Sequence, residues 1–278
     1  MRERKLAGAA VIAVAALGAL IFAVAGRSGA AQASLTVNLP PPSADRIYAL
    51  PIARGRPIVV IDAGHGGRDP GARAVSGEVV EKDLTLALAR ELRDNLVKRG
   101  RVRVAMTRDG DRYLTLEDRA AVARRLDAGM FVSLHMDSAP NALARGASVY
   151  SLSDIASDSE AAHFAALQNN GAGAEGATGS VQSLLADLAM RTQMSASADL
   201  ASRLVNKSAG RFELRPQPHR FAAFHVLKRA ATPAVLFEAG YISNTDDEAL
   251  LRSPEHRSEI ALALAQAIEA DVAARSRH

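Results

Sequence analysis

Ile58-Val59-Val60-Ile61-Asp62-Ala63-Gly64-His65-Gly66-Gly67 is the stretch on which the reading of this chain turns. Four consecutive β-branched residues make a buried strand, too short and too branched for a core helix. The glycines that follow allow a sharp turn and a close approach to the backbone. They place a histidine at the carboxyl end of a strand, where open α/β sheets keep their sites. An incidental histidine in a strand-to-loop turn would look the same, so the weight falls on the residues further out.

Downstream, Lys82 to Arg99 reads as a helix with Leu84, Leu88, Leu92 and Leu96 on one face and Gly100 as its stop. Arg101 to Met106 alternates as a half-buried strand. Thr115 with Asp118 forms a capping-box signature for a second helix running toward Gly129. Met130 to His135 is a second apolar strand ending in a histidine, and Ala147 to Leu152 is a further short strand. Val181 to Ala209 has helical spacing, Phe224 to Lys228 and Ala234 to Phe237 read as strands, and a last helix runs from Pro254 to about Ala274. This alternation predicts an α/β fold: a single three-layer domain, its sheet mostly parallel or mixed, flanked by helices, with a site at strand carboxyl ends.

Upstream, Met1-Arg2-Glu3-Arg4-Lys5 precedes an uncharged apolar run from Leu6 to Gly26, and Ala31-Gln32-Ala33 follows as a cleavage pattern. Residues 1–33 thus read as a signal peptide or a signal anchor held by residues 6–26, and both export the remainder of the chain. That segment carries three of the four net positive charges, so the remainder is near neutral and nucleic acid is excluded as a partner. Aromatic residues at 4%, with no Trp, argue against a base- or sugar-stacking platform. Cysteine is absent, so any metal must be held by His and carboxylates. Residues 34–56, with Pro40-Pro41-Pro42, read as an extended linker before a domain spanning 57–278.

His65, His135 and Glu238 stand at three strand ends, and Glu81 stands where the first long helix begins. Each has a plain alternative: a loop hydrogen bond for a histidine, the helix dipole for Glu81, a turn cap for Glu238. Together they contain two imidazoles and a carboxylate, an ordinary catalytic zinc set, plus a further carboxylate to move a proton.

Several motifs extend this pattern in order. They are Asp62 to Ala72, Glu81-Lys82-Asp83, Thr107-Arg108-Asp109, Leu116 with Arg119, Ser133-Leu134-His135 and Phe237 to Asn244. In this the chain resembles the zinc-dependent N-acetylmuramoyl-L-alanine amidases of the Amidase_3 type from Pro57 to about Val272. The resemblance implies zinc held by His65, Glu81 and His135, with Glu238 as catalytic carboxylate. It also implies peptidoglycan as substrate, cut between the lactyl group of N-acetylmuramic acid and L-alanine. Asp62 and Asp137 are expected to orient the imidazoles. Asp137 and Arg124 depart from the family, which often carries Asn at both positions. A zinc amidohydrolase on another substrate, and a non-catalytic wall-binding module of the same fold, stay open as alternatives.

Residues 153–180, rich in Ser, Ala and Gly, exceed the few residues such a connection needs. The Gram-negative division amidases, which the chain resembles here too, carry a segment at this place that blocks the zinc until an activator displaces it. The resemblance therefore implies an autoinhibitory insert with Ala161–Leu167 as its helix, an envelope activator as partner, and a periplasmic location. Glu160 and Glu175 are the acidic candidates for reaching the metal.

Overall fold

The computed structural model describes residues 46–170 and 181–276. Its centre is a mixed seven-stranded sheet in the order β1-β3-β2-β4-β7-β5-β6. The strands are β1 (Ile47–Tyr48), β2 (Ile58–Ala63), β3 (Arg103–Met106), β4 (Met130–Asp137), β5 (Ala147–Leu152), β6 (Leu214–Ala222) and β7 (Ala234–Tyr241). β3, β2, β4 and β7 run parallel, β5 returns antiparallel to β7, and β6 lies parallel to β5.

The helices are α1 (Glu81–Arg99), α2 (Leu116–Arg125), α3 (Ser159–Gln168), α4 (Val181–Ser208), α5 (His225–Arg229), α6 (Thr245–Arg252) and α7 (Pro254–Arg275). They bury the sheet on both faces. Val59 and Ile61 of β2 pack with Leu88 and Leu92 of α1 and Leu264 of α7. Ile58 and Val60 belong to the opposite core, with Val122 of α2, Ala161 of α3 and Leu227 of α5. A strand covered on both faces has no solvent side, which is why β2 reads as an uninterrupted apolar run. The Leu stripe of α1 is fully inside, and Gly100 closes the helix in the left-handed conformation with φ +66°. The Thr115–Asp118 capping box is formed at the start of α2.

Three expectations change. Phe224 to Lys228 is not a strand: Phe224 precedes the short helix α5, and the strand is β6 just before it. β6 contains Arg215, Pro216, Pro218 and Arg220, which hide it from an apolar pattern; it is an edge strand, where proline costs no ladder bond on the open side. The helix α6 was not expected; the Asn244 side chain caps it by accepting from the Asp246 and Asp247 amides. The described part of the expected linker, residues 46–56, joins the fold, since Ile47–Tyr48 pairs antiparallel with β3 and Ala53 is buried.

The N-terminal leader and Glu175 lie outside the described residues. Among the described residues no helix is long and apolar enough to cross a membrane.

Candidate metal centre

The backbone leaves β2 at Ala63 into a loop built around absent side chains. A Cβ on Gly64 would lie 2.5 Å from His135 Nε2, and one on Gly71 would lie 2.6 Å from Glu81 Oε2. Glycine at both positions makes the room in which three polar side chains meet. His65 itself sits in the left-handed region with φ +58°, a conformation uncommon for a side-chain-bearing residue and characteristic of functional turns.

Buried arginines hold the loop in this course. Arg108 donates from Nε to Ala63 O (2.9 Å) and from Nη2 to Gly64 O (2.8 Å) and Lys82 O (2.8 Å). Arg119 donates to Ala63 O (2.7 Å) and His65 O (2.7 Å). The charge of Arg119 is met by Asp62, whose carboxylate also accepts from Thr107 Oγ1 and Ser133 Oγ, both at 2.7 Å. Burial alone would raise the Asp62 pKa, but Arg119 and these hydrogen bonds prevail and hold it below the usual range.

On this frame the donor atoms of His65, Glu81 and His135 lie within 4.8 Å of one another. His65 comes from the loop after β2, Glu81 from the first position of α1 and His135 from β4. The two imidazoles meet edge to face, with centroids 4.9 Å apart. Glu81 is fixed by amides: Ala72 N donates to Oε2 (2.9 Å) and Met136 N to Oε1 (3.1 Å). His135 Nδ1 lies 2.9 Å from Glu81 Oε1. Burial opposes the Glu81 charge, yet the bond to His135 and the proximity of His65 hold its pKa far down.

His65 Nδ1 bonds Asp69 Oδ2 at 2.8 Å. Its Nε2 is buried without a hydrogen bond, since Glu81 Oε1 at 3.1 Å is poorly aligned with it. Burial disfavours the His65 cation, but the bond to Asp69 and the nearby charge of Glu81 outweigh it and raise the pKa to about 9. An imidazole nitrogen left unpartnered beside a second imidazole and an amide-bound carboxylate fits a divalent cation with an N,N,O donor set.

Glu238 of β7 pairs in register with His135 of β4. It is fully buried, and neither carboxylate oxygen has a hydrogen-bond partner among the described residues. Burial, reinforced by the charges of Asp137 and Glu81, pushes its pKa well above the usual range. Such a carboxylate is costly to the fold and characteristic of proton-transfer sites.

The expected imidazole-orienting role of Asp62 and Asp137 is not what the structure shows. Asp62 serves Arg119, Thr107 and Ser133. Asp137 accepts from the Ser138 amide (2.7 Å) and from the Tyr241 hydroxyl, while burial lifts its pKa to about 6. The residue that orients His65 is Asp69, and its only sequence signal is an Asp four positions on within the same glycine-rich loop. Arg124 lies away from the cluster, bonded to Glu117 and to Arg229 O.

A cavity of about 250 Å³ opens on His65 and His135, and Leu167–Asn170 at the end of α3 line its other side. Asn169 is pinned there: it donates to Ala223 O and accepts from the His225 amide, both at 2.8 Å. Glu160 does not join the His65–Glu81–His135 cluster; it faces Arg215 and Arg220 instead.

Residues 59–270 match the family model Amidase_3, N-acetylmuramoyl-L-alanine amidase. The chain is 34% identical over 220 residues to N-acetylmuramoyl-L-alanine amidase AmiA of Escherichia coli, covering 77% of this chain and 75% of that protein. It is 34% identical to AmiC of Neisseria meningitidis over 77% of this chain, but spans only 52% of that longer relative. Among solved structures, the catalytic domain of CwlV, an N-acetylmuramoyl-L-alanine amidase from Bacillus (Paenibacillus) polymyxa var. colistinus, superimposes with a TM-score of 0.59. It is 28% identical, over 76% of this chain and 96% of that one. AmiC2 of Nostoc punctiforme, at 24% identity and a TM-score of 0.56 over 81% and 99% of the two chains, shares the fold. The chain belongs to the Amidase_3 family of N-acetylmuramoyl-L-alanine amidases, enzymes of peptidoglycan.

Proposed function

We propose that this chain is an exported zinc hydrolase that separates the stem peptide from N-acetylmuramic acid, in daughter-cell separation or wall remodelling. The carrying observation is the convergence of three donor atoms within 4.8 Å, one an unpartnered imidazole nitrogen, with the unpartnered carboxylate of Glu238 in register beside them. His65, Glu81 and His135 would hold the ion, and Asp69 would fix the His65 ring with Nε2 facing inward. A bound zinc supplies Lewis acidity toward the scissile carbonyl and the attacking water. Glu238, whose ionised form a cation held beside it would favour, would take the proton from that water onto a carboxylate oxygen and pass it to the amine as L-alanine leaves. Arg108 and Arg119 hold the loop so that His65 does not drift from that geometry.

Metal content and muropeptide cleavage, measured on wild type and two variants, test this reading. Glu238→Ala should keep its zinc and lose turnover by about 10²–10⁴-fold; His65→Ala should lose both. A Glu238→Ala variant that cleaves at the wild-type rate overturns it.

The insert 153–180 is read as an autoinhibitory segment that an envelope activator releases in the periplasm. The lining of the cavity by Leu167–Asn170 supports this. Removing all of α3 would strip buried Ala161 and Ala165 from the core, so the cleaner variant replaces only Leu167–Asn170 with Gly-Ser-Gly-Ser. Dye release from labelled sacculi should rise without an activator; an unchanged basal rate sinks the switch.

A further inference from the structure

Beyond the carboxyl end of β7 lies a second cavity of about 630 Å³, lined by Arg145, Glu160, Arg215 and Tyr241. Arg215 of this lining and Arg220, further along the edge strand β6 and outside the lining, both face the first turn of α3. Arg215 grips Glu160 with both terminal nitrogens, Nη1 to Oε1 at 3.0 Å and Nη2 to Oε2 at 3.1 Å. Arg220 lies 3.2 Å from Glu160 Oε2 and also bonds Asp158. Two-pronged guanidinium–carboxylate pairing of this kind is a recognition geometry.

The two halves of the pairing differ in exposure to solvent. The Arg215 and Arg220 side chains are 17% and 6% exposed, whereas that of Glu160 is 51% exposed. Each guanidinium stands over a tyrosine ring, Arg215 over Tyr241 at 5.7 Å and Arg220 over Tyr150 at 5.8 Å. Arg215 also donates to the Tyr241 hydroxyl. The arginines are therefore built into the wall and the carboxylate is the exchangeable partner. Arg215 also carries a donor that α3 does not satisfy, since its Nε is buried without a hydrogen-bond acceptor among the described residues. Tyr241 ties this wall to the reaction centre: across a register shift it pairs with Asp137, two positions and roughly 7 Å beyond the His135–Glu238 pair, and its hydroxyl bonds Asp137. That span is on the order of the reach from a scissile amide, across one amino acid, to a carboxylate on the next.

We propose that Arg215, with Arg220 behind it, forms a carboxylate-recognition subsite for the stem peptide, and that Glu160 occupies it as an internal stand-in. The proposal rests on the amidase reading above. It makes the first turn of α3 a competitor for a substrate contact, separate from the covering of the cavity at His65 by the other end of that helix. Arg215 sets specificity; it is not a catalytic group.

The test compares two muramoyl-L-alanyl dipeptides, one with a free carboxylate on the residue after alanine and one with that group as its carboxamide. Glu160→Gln, a substitution at an exposed side chain, should lower KM for the free carboxylate about tenfold, the worth of one charged hydrogen bond, and leave KM for the carboxamide unchanged. Arg215→Lys keeps the charge and loses the fork, and should abolish the preference with kcat little altered. Equal shifts for both substrates in Glu160→Gln, or a preserved preference in Arg215→Lys, overturn the subsite. Calorimetric binding of the free dipeptide L-alanyl-D-glutamate and its carboxamide to wild type and Glu160→Gln gives the same discrimination without turnover. Tighter binding of only the carboxylate form supports the subsite, and equal affinities overturn it. Absence of cleavage of either substrate by the zinc-loaded protein counts against the amidase reading, while the calorimetry still decides the subsite.

Discussion

Asp62 on β2 and Glu238 on β7 are buried carboxylates on the two strands that flank β4, and they live under opposite conditions. Asp62 accepts from Thr107, Ser133 and Arg119, so its charge is held in place and its pKa is held down. Among the described residues Glu238 accepts from no side chain or amide, and burial drives its pKa up. The difference separates scaffold from chemistry. A fully bonded buried charge organises the loop that carries His65, whereas an unbonded one is retained at a cost to folding.

This contrast can be broken by exchanging which property each residue controls. Glu238→Gln is expected to lower turnover about a thousandfold while the urea midpoint of the apoprotein does not fall; a destabilised but active variant would reverse the assignment. Asp62→Ala leaves Arg119 buried and unpaired, and should cost about 3–5 kcal/mol of unfolding free energy. A loss below about 1 kcal/mol in denaturant titrations would show that water replaces the carboxylate. Asp69→Asn removes the charge behind His65 Nδ1 without touching either carboxylate, and should weaken zinc about 10–100-fold in chelator competition. Ser133→Ala deletes a single donor to Asp62 and sharpens the comparison most finely. Its expected cost is about 1 kcal/mol, with zinc affinity unchanged, and a coupled loss of metal would join the two regions into one network.

Legibility in the sequence followed the same division. β2, β4 and β7 were readable because burial on both faces makes them apolar throughout, and α1 because its Leu stripe repeats at the helical period. β6 was not, since its exposed edge tolerates Arg, Pro and His and carries no apolar signal. The five-residue α5 was mistaken for a strand because Phe224 to Lys228 is too short for either period to show. Within the site, residue types in motif order pointed to His65, Glu81, His135 and Glu238. The same reading gave Asp62 and Asp137 a task that belongs to Asp69. It considered Glu160 only as a metal ligand, whereas its partners are Arg215 and Arg220.

The amino-acid sequence by itself determined the order of the elements and the chemical inventory of the candidate site: two of the chain's seven histidines, several carboxylates, no thiol. It could do so because periodicity and residue type are local properties. Tertiary structure alone decided which carboxylate is saturated with donors and which is left bare, and that Glu160 lies on arginines rather than beside His65 and His135. Those outcomes depend on neighbours that the strand register and helix packing deliver from distant parts of the chain, because desolvation and pairing are properties of an environment and not of a residue.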